Sequence, residues 1–307
     1  MKAQTITTPS FFNRLPVAEL SLLLTAIFWG TSYGITKEAL IYTSVLAFIV
    51  IRFGLTSLLL MPNYWRDARK GLTKDWKYAL PTGVVLLSIF LAETYGIFHT
   101  SASKAAFLIS LCVLMTPFIE AIFNKQWPNK SVFGFAMLSV VGVLLLTQNE
   151  LGLASLTLNL GDYCILLAAL LRACMVVSTQ VLLKGKRLSA LNITSIQANV
   201  VTVGALIVFL MSDVTATDLI PLDPSFWSLA FYLVIFCTIF ALFAQNYGVK
   251  HTTPSRVALL TGSEPAFGAL FAFIWLGESL TNIQLIGGAC ILAATLMATM
   301  QGKMASS

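Results

Sequence analysis

Three charged side chains lie deep inside long apolar runs of this sequence: Arg52, Arg172 and Glu264. A charge near the middle of a membrane-spanning helix costs on the order of 3 kcal/mol unless it is paired or faces water, so each marks a candidate site for handling a ligand or a proton. Arg172 stands 11 residues into its run. At about 1.5 Å per residue that is about 16 Å, close to the centre of a hydrocarbon core about 30 Å thick. A guanidinium there has two uses. Its planar fork can hold a substrate carboxylate or phosphate through two parallel charged hydrogen bonds, or it can pair with a buried acid such as Glu264. Arg52 and Glu264 each stand nine residues into their runs. For Arg52 the expected role is structural, bonding helix-end carbonyls or an acid. Glu264 precedes Pro265, whose missing N–H frees a carbonyl and permits a kink. A carboxylate beside such a break suits a substrate ammonium group or a coupling proton; a protonated glutamate bonded to a neighbouring helix is the alternative.

Glu93, near the outer end of its run, is a candidate gate or proton site, or else a solvated helix-end acid, and Glu120 reads as interfacial. Trp29, Tyr33 and Tyr95 offer broad apolar faces with a polar tip, and a tryptophan face can hold a cationic group. Tryptophan and tyrosine also gather at membrane interfaces for the same amphipathic reason. The amide of Asn246 either contacts substrate or caps backbone groups. The expected substrate site is therefore Arg172, Glu264, Trp29, Tyr33, Tyr95 and Asn246, with Glu93 and Glu264 as gate or proton-coupling groups. The sequence has no HExxH, GxSxG, GxGD or phosphate-binding loop. Its five cysteines fall singly in apolar runs without metal-ligand or redox spacing. No catalytic residue, metal ligand or cofactor is expected.

The elements that must carry these residues follow from composition. Of the 307 residues 57% are hydrophobic and 10% charged, too little polar surface to coat a soluble globule. In lipid every backbone polar group must be paired, so spans are helices or a closed barrel, and these runs are too long for barrel strands. Ten runs are drawn, at 17–35, 43–61, 78–98, 103–123, 131–147, 161–183, 192–212, 226–247, 255–276 and 282–300. Fifteen Lys and Arg residues fall in the termini and even-numbered loops, five of them between the second and third runs, whereas the odd loops hold Lys37 and Lys104. The seventh loop carries Asp213, Asp218 and Asp223 instead. Positive loops stay on the cytoplasmic side, which places both termini there in an inner membrane. The net charge of +6 is scattered over these short loops, an orientation signal and not a nucleic-acid surface. The sequons at Asn129 and Asn192 then lie at cytoplasmic ends and read as chance matches.

The halves also repeat. At a constant offset of 152, Tyr95, Gly96, His99, Thr100, Ser103 and Lys104 match Tyr247, Gly248, His251, Thr252, Ser255 and Arg256. Thr116-Pro117 parallels Glu264-Pro265 after a four-residue length difference. Five spans per half, an odd number, force the second copy (151–307) upside down relative to the first (1–150). Two inverted bundles offer two nearly equivalent packings around a midplane site, the signature of a secondary carrier. The expected fold is an all-α membrane protein of ten transmembrane helices in two inverted five-helix repeats. Its expected partners are a small-molecule substrate, a coupling proton and membrane lipid. Small residues such as Gly142 and Gly287 permit close packing in either a monomer or a homodimer.

Phe28-Trp29-Gly30-Thr31-Ser32 with Lys37, Arg52-Phe53, Gly262-Ser263-Glu264-Pro265, Leu276-Gly277-Glu278 and Leu285-Ile286-Gly287-Gly288-Ala289 occur in this order and spacing. In them the chain resembles the drug/metabolite transporter superfamily, in its ten-helix EamA-like branch. The resemblance implies the inverted-repeat fold, no prosthetic group, and transport of metabolites, often amino acids or related compounds and often outward. Where the family's sixth helix commonly has Trp-Ala, this chain has Arg172-Ala173.

Overall fold

The computed structural model describes residues 17–125, 127, 130–151, 158–212, 221–275 and 281–304. Lys2, Arg14, Asn129, Asp213, Asp218, Gly277 and Glu278 lie outside them. The described residues are helical: α1 (Val17–Ala39), α2 (Val45–Arg69), a 3₁₀ turn (Trp76–Ala79), α3 (Leu80–His99), α4 (Ala102–Ser110), α5 (Cys112–Asn124), α6 (Lys130–Leu151), α7 (Leu160–Leu183) and α8 (Ala190–Leu210) come first. Then follow α9 (Pro224–Tyr232), a π-helical segment (Leu233–Phe240), α10 (Ala241–His251), α11 (Pro254–Thr261), α12 (Glu264–Trp275) and α13 (Asn282–Met304). Among the described residues, six helical stretches are long and apolar enough to cross a membrane.

Local chemistry sets the ends. Ser44, Ser101, Ser189, Asp223 and Thr253 each accept a backbone N–H from the first turn of the helix that follows. Asn159 and Asp162 close a reciprocal capping box on α7, with bonds of 2.9 and 2.8 Å. The second helix runs about two turns beyond the expected end at residue 61, because Arg66 and Arg69 in its last turn suit the negative end of the helix dipole. Two turns 152 residues apart are built alike. Thr100 and Thr252 close α3 and α10 by donating to the Gly96 and Gly248 carbonyls, and Ser101 and Thr253 then cap α4 and α11.

Two apolar cores hold the bundle. One gathers Phe48, Phe53, Ile89, Val201, Phe226 and Leu233 from α2, α3, α8, α9 and the π segment. The other gathers Ile109, Val113, Val143, Ile165, Ala169 and Ile291 from α4 to α7 and α13. Where α1 crosses α12 the backbones touch: a Cβ on Gly30 would meet the Glu264 carbonyl at 2.7 Å, and one on Gly268 would meet the Gly30 carbonyl at 2.8 Å. Only glycine permits that approach. The crossing fixes Glu264 beside Trp29.

Candidate functional site

Arg172 occupies the middle of α7 and projects between two acids from other helices. Its Nη1 donates to Glu264 Oε1 at 3.1 Å, and its Nη2 lies 3.3 Å from Glu93 Oε2. The other Glu264 oxygen accepts the Tyr33 hydroxyl at 2.8 Å. The side chains of Arg172, Glu93 and Glu264 are 13%, 9% and 4% exposed. The face of Trp29 lies under the guanidinium, 4.6 Å from its carbon to the ring centroid, a distance at which the ring quadrupole attracts the cation. Five side chains from α1, α3, α7 and α12 thus form one buried polar centre.

Its two carboxylates are held unequally. Glu264 is fixed on both oxygens, at the first residue of α12, just after the break at Gly262 and Ser263. Glu93 has one contact partner here, Arg172, and its Oε2 makes no hydrogen bond. Glu93 is therefore the carboxylate that another cation can take over at least cost.

Trp29 and Arg52 are anchored by the π segment. The Cys237 carbonyl accepts Trp29 Nε1 at 2.9 Å and Arg52 Nη2 at 3.4 Å, while Arg52 Nε donates to Thr238 Oγ1 at 2.7 Å. Arg52 also lies 5.0 Å over the Phe90 ring. Its bonds are those of a structural arginine on a helix carbonyl. A π turn presents backbone groups to side chains in this manner and is frequent at functional sites.

Of the six expected substrate residues, the structure brings together Arg172, Glu264, Trp29 and Tyr33, with the expected gate residue Glu93 beside them, and places two elsewhere. Tyr95 is 41% exposed and packs its ring at a tilt against His99, 4.5 Å between centroids. It follows Glu93 by two residues, about 200° around α3, so the two cannot share a face. Asn246 is buried, but in an amide network of its own, donating to Thr194 Oγ1 at 3.0 Å and Gln197 Oε1 at 2.8 Å. Tyr247 and His251 pack in a tilted arrangement at 4.0 Å, as Tyr95 and His99 do, so both histidines brace equivalent helix ends.

Two ion pairs that pattern reasoning missed lie at opposite ends of the bundle. At one end Lys104 Nζ meets Asp162 at 2.5 Å, and Thr100 Oγ1 donates to the other Asp162 oxygen at 2.7 Å. Lys37 reaches the Thr100 carbonyl there as well. At the other end Arg256 pairs with Glu19, and Ser255 donates to Glu120. Asp162 and Glu19 are each the third residue of their helix, and Lys104 and Arg256 are repeat partners. The 152-residue offset was the available signal; the acids carry no motif of their own.

The EamA-like transporter family matches this chain twice, over residues 16–148 and 159–300. Two proteins of Archaeoglobus fulgidus, each described as an uncharacterized transporter, are 25% and 27% identical, covering 92% and 91% of this chain and 86% and 96% of their own. The uncharacterized transporter YcxC of Bacillus subtilis is 24% identical over 71% of this chain and 72% of its own. A crystal structure with 13% identity superposes with a TM-score of 0.73 over 94% of this chain and 99% of that one, a likeness of fold. With its apolar helices and a family match over nearly its whole length, the chain belongs to the EamA-like transporter family and is a multi-pass helical membrane protein.

Proposed function

We propose that this protein is a secondary carrier for a small amphoteric metabolite of the amino-acid type, working by alternating access in the cytoplasmic membrane. The observation that carries this reading is the buried guanidinium of Arg172 held between Glu264 and Glu93, with one carboxylate fixed and one loosely bound. A substrate carboxylate takes the Arg172 Nη2 position now filled by Glu93. The released Glu93 carboxylate receives the substrate ammonium group or a coupling proton, so charge stays balanced in a medium where an unpaired ion is costly. Trp29 holds the guanidinium face throughout.

The ten-span, inverted-repeat architecture is part of the proposal. It is supported by the two family matches, by the equivalent turns at 96–104 and 248–256, and by the related ion pairs at the two ends. Pairs of that kind act as alternating closures around a midplane centre. In this reading residues 1–150 and 151–307 form the two halves, both termini are cytoplasmic, and the substrate is exported.

A cationic substrate is the second reading, favoured by the two carboxylates facing one guanidinium. Counterflow in proteoliposomes with labelled amino acids, organic acids and organic cations separates them. The first reading expects saturable exchange of a carboxylate-bearing compound, lost in Arg172→Ala and with its pH dependence changed in Glu93→Gln. Saturable exchange of cations alone, retained in Arg172→Ala, sinks it in favour of the second.

A further inference from the structure

A concave, largely apolar groove of about 530 Å³ opens on the outer surface of the bundle, away from the polar centre, between the end of α2, the start of α3 and the stretch of α8 from Ile196 to Ile207. Its walls are apolar, with Val84, Leu87, Val203 and Ile207 along its length and Trp65 and Trp76 at one end. The floor is formed where α3 and α8 touch: a Cβ on Gly204 would come within 2.3 Å of the Leu87 side chain, so glycine there leaves room for the two helices to close beneath the groove. Tyr64, Trp65, Trp76 and Tyr78 ring the same end, the side chains that settle at the headgroup level of a bilayer.

That aromatic end meets a basic platform made of two loops. The last turn of α2 supplies Arg66 and Arg69, the α2–α3 connection supplies Lys70, Lys74 and Lys77, and the α7–α8 connection supplies Lys184, Lys186 and Arg187. The loops are bound to each other: the Arg187 N–H donates to Asp75 at 3.0 Å, and the Lys186 ammonium lies 3.6 Å over the Tyr78 ring. The two acids in the platform already have partners: Asp67 accepts the Asn192 amide at 3.1 Å and lies 3.7 Å from the exposed Arg66, whose Nη2 donates to Asn63 at 2.6 Å, and Asp75 accepts Arg187. The platform thus carries eight cationic residues against two engaged carboxylates. Arg66 and Lys77 follow directly on the groove residues Trp65 and Trp76, and both are exposed.

We propose that this groove is a binding site for an anionic glycerophospholipid, one acyl chain lying along Val84, Leu87, Val203 and Ile207 and the phosphate held by Arg66 and Lys77. Concave apolar walls select a chain, and the platform selects the headgroup charge. Basic pockets between helices at a membrane face hold anionic headgroups by this combination. A zwitterionic lipid gains the first contact without the second.

The test uses the intact protein in phosphatidylcholine nanodiscs doped with lipid carrying dibrominated chains, which quench tryptophan on contact. The groove signal is the fluorescence component removed by Trp65→Phe with Trp76→Phe. Brominated phosphatidylglycerol is expected to reach half-maximal quenching of that component at about a fivefold lower mole fraction than brominated phosphatidylcholine. The preference should shrink in high salt, because exposed charges are screened, and vanish in Arg66→Glu with Lys77→Glu. Val203→Phe, which fills the groove, should weaken quenching by both lipids. Equal curves for the two lipids, or a preference that survives both high salt and charge reversal, overturns the proposal. The salt series on the unaltered protein decides the matter if charge reversal impairs folding.

Discussion

Removing Arg172 takes away the cation that Glu93 and Glu264 share. Arg172→Met strands two buried carboxylates and is expected to lower stability by about 3–5 kcal/mol, read as a fall in thermal midpoint in detergent. Adding Glu264→Gln to that variant should restore part of the loss, because one stranded charge disappears. Tyr33 and Tyr95 make a sharper comparison. Tyr33→Phe removes the donor to Glu264 and should cost about 1–3 kcal/mol. Tyr95→Phe, at an exposed position, should stay within about 0.5 kcal/mol. Sequence depth alone located Arg172, Glu264 and Trp29, since a charge or an indole in an apolar run is conspicuous. It did not separate Glu93 from Tyr95, two residues apart on α3, because the mean hydropathy of that helix is high all round and no polar face marks which side meets α7.

At the scale of elements, the crossing of α1 and α12 is the most constrained contact to the centre. Gly30→Ala pushes a methyl into the Glu264 carbonyl and should cost about 1–3 kcal/mol and most of the transport rate. Gly34→Ala, one turn on with open space around it, should be neutral or mildly stabilising, so the pair distinguishes close packing from helix propensity. The end-to-end ion pairs yield a sided prediction. In a protein whose only cysteine is Cys112, buried at the start of α5, Arg256→Gln should raise labelling by an impermeant thiol reagent from one face about tenfold, the effect of about 1.4 kcal/mol on opening, and Lys104→Gln from the other. Unchanged labelling in both would make the pairs fixed struts. These pairs were not legible in the sequence, because Glu19 and Asp162 look like ordinary first-turn acids; their meaning comes from which helix end arrives opposite.

For the molecule as a whole, the all-helical, membrane-crossing character was legible because lipid imposes one rule on every segment, whereas the interruptions within the helices were not. The break at Leu111 lies six residues before Pro117, and the π segment contains no proline or glycine to announce it. That segment has a consequence for the symmetry of the protein. Residues 81–88 of α3, which the 152-residue offset places opposite Leu233–Phe240, are ordinary α-helix, so the two halves are wound differently at one place. An α-helix turns about 100° per residue, so one surplus residue sets the phase of everything after it, including Gln245 and Asn246. Closing the segment to α-helix at unchanged length should therefore rotate α10 by about a quarter turn and break the amide network with α8, whereas deleting one residue between 233 and 240 is absorbed as the wide turn closes and should leave that network in place. For the alternating access we propose, this difference in winding would give the two access states unequal energies, so that a resting bias toward one face is written into the backbone.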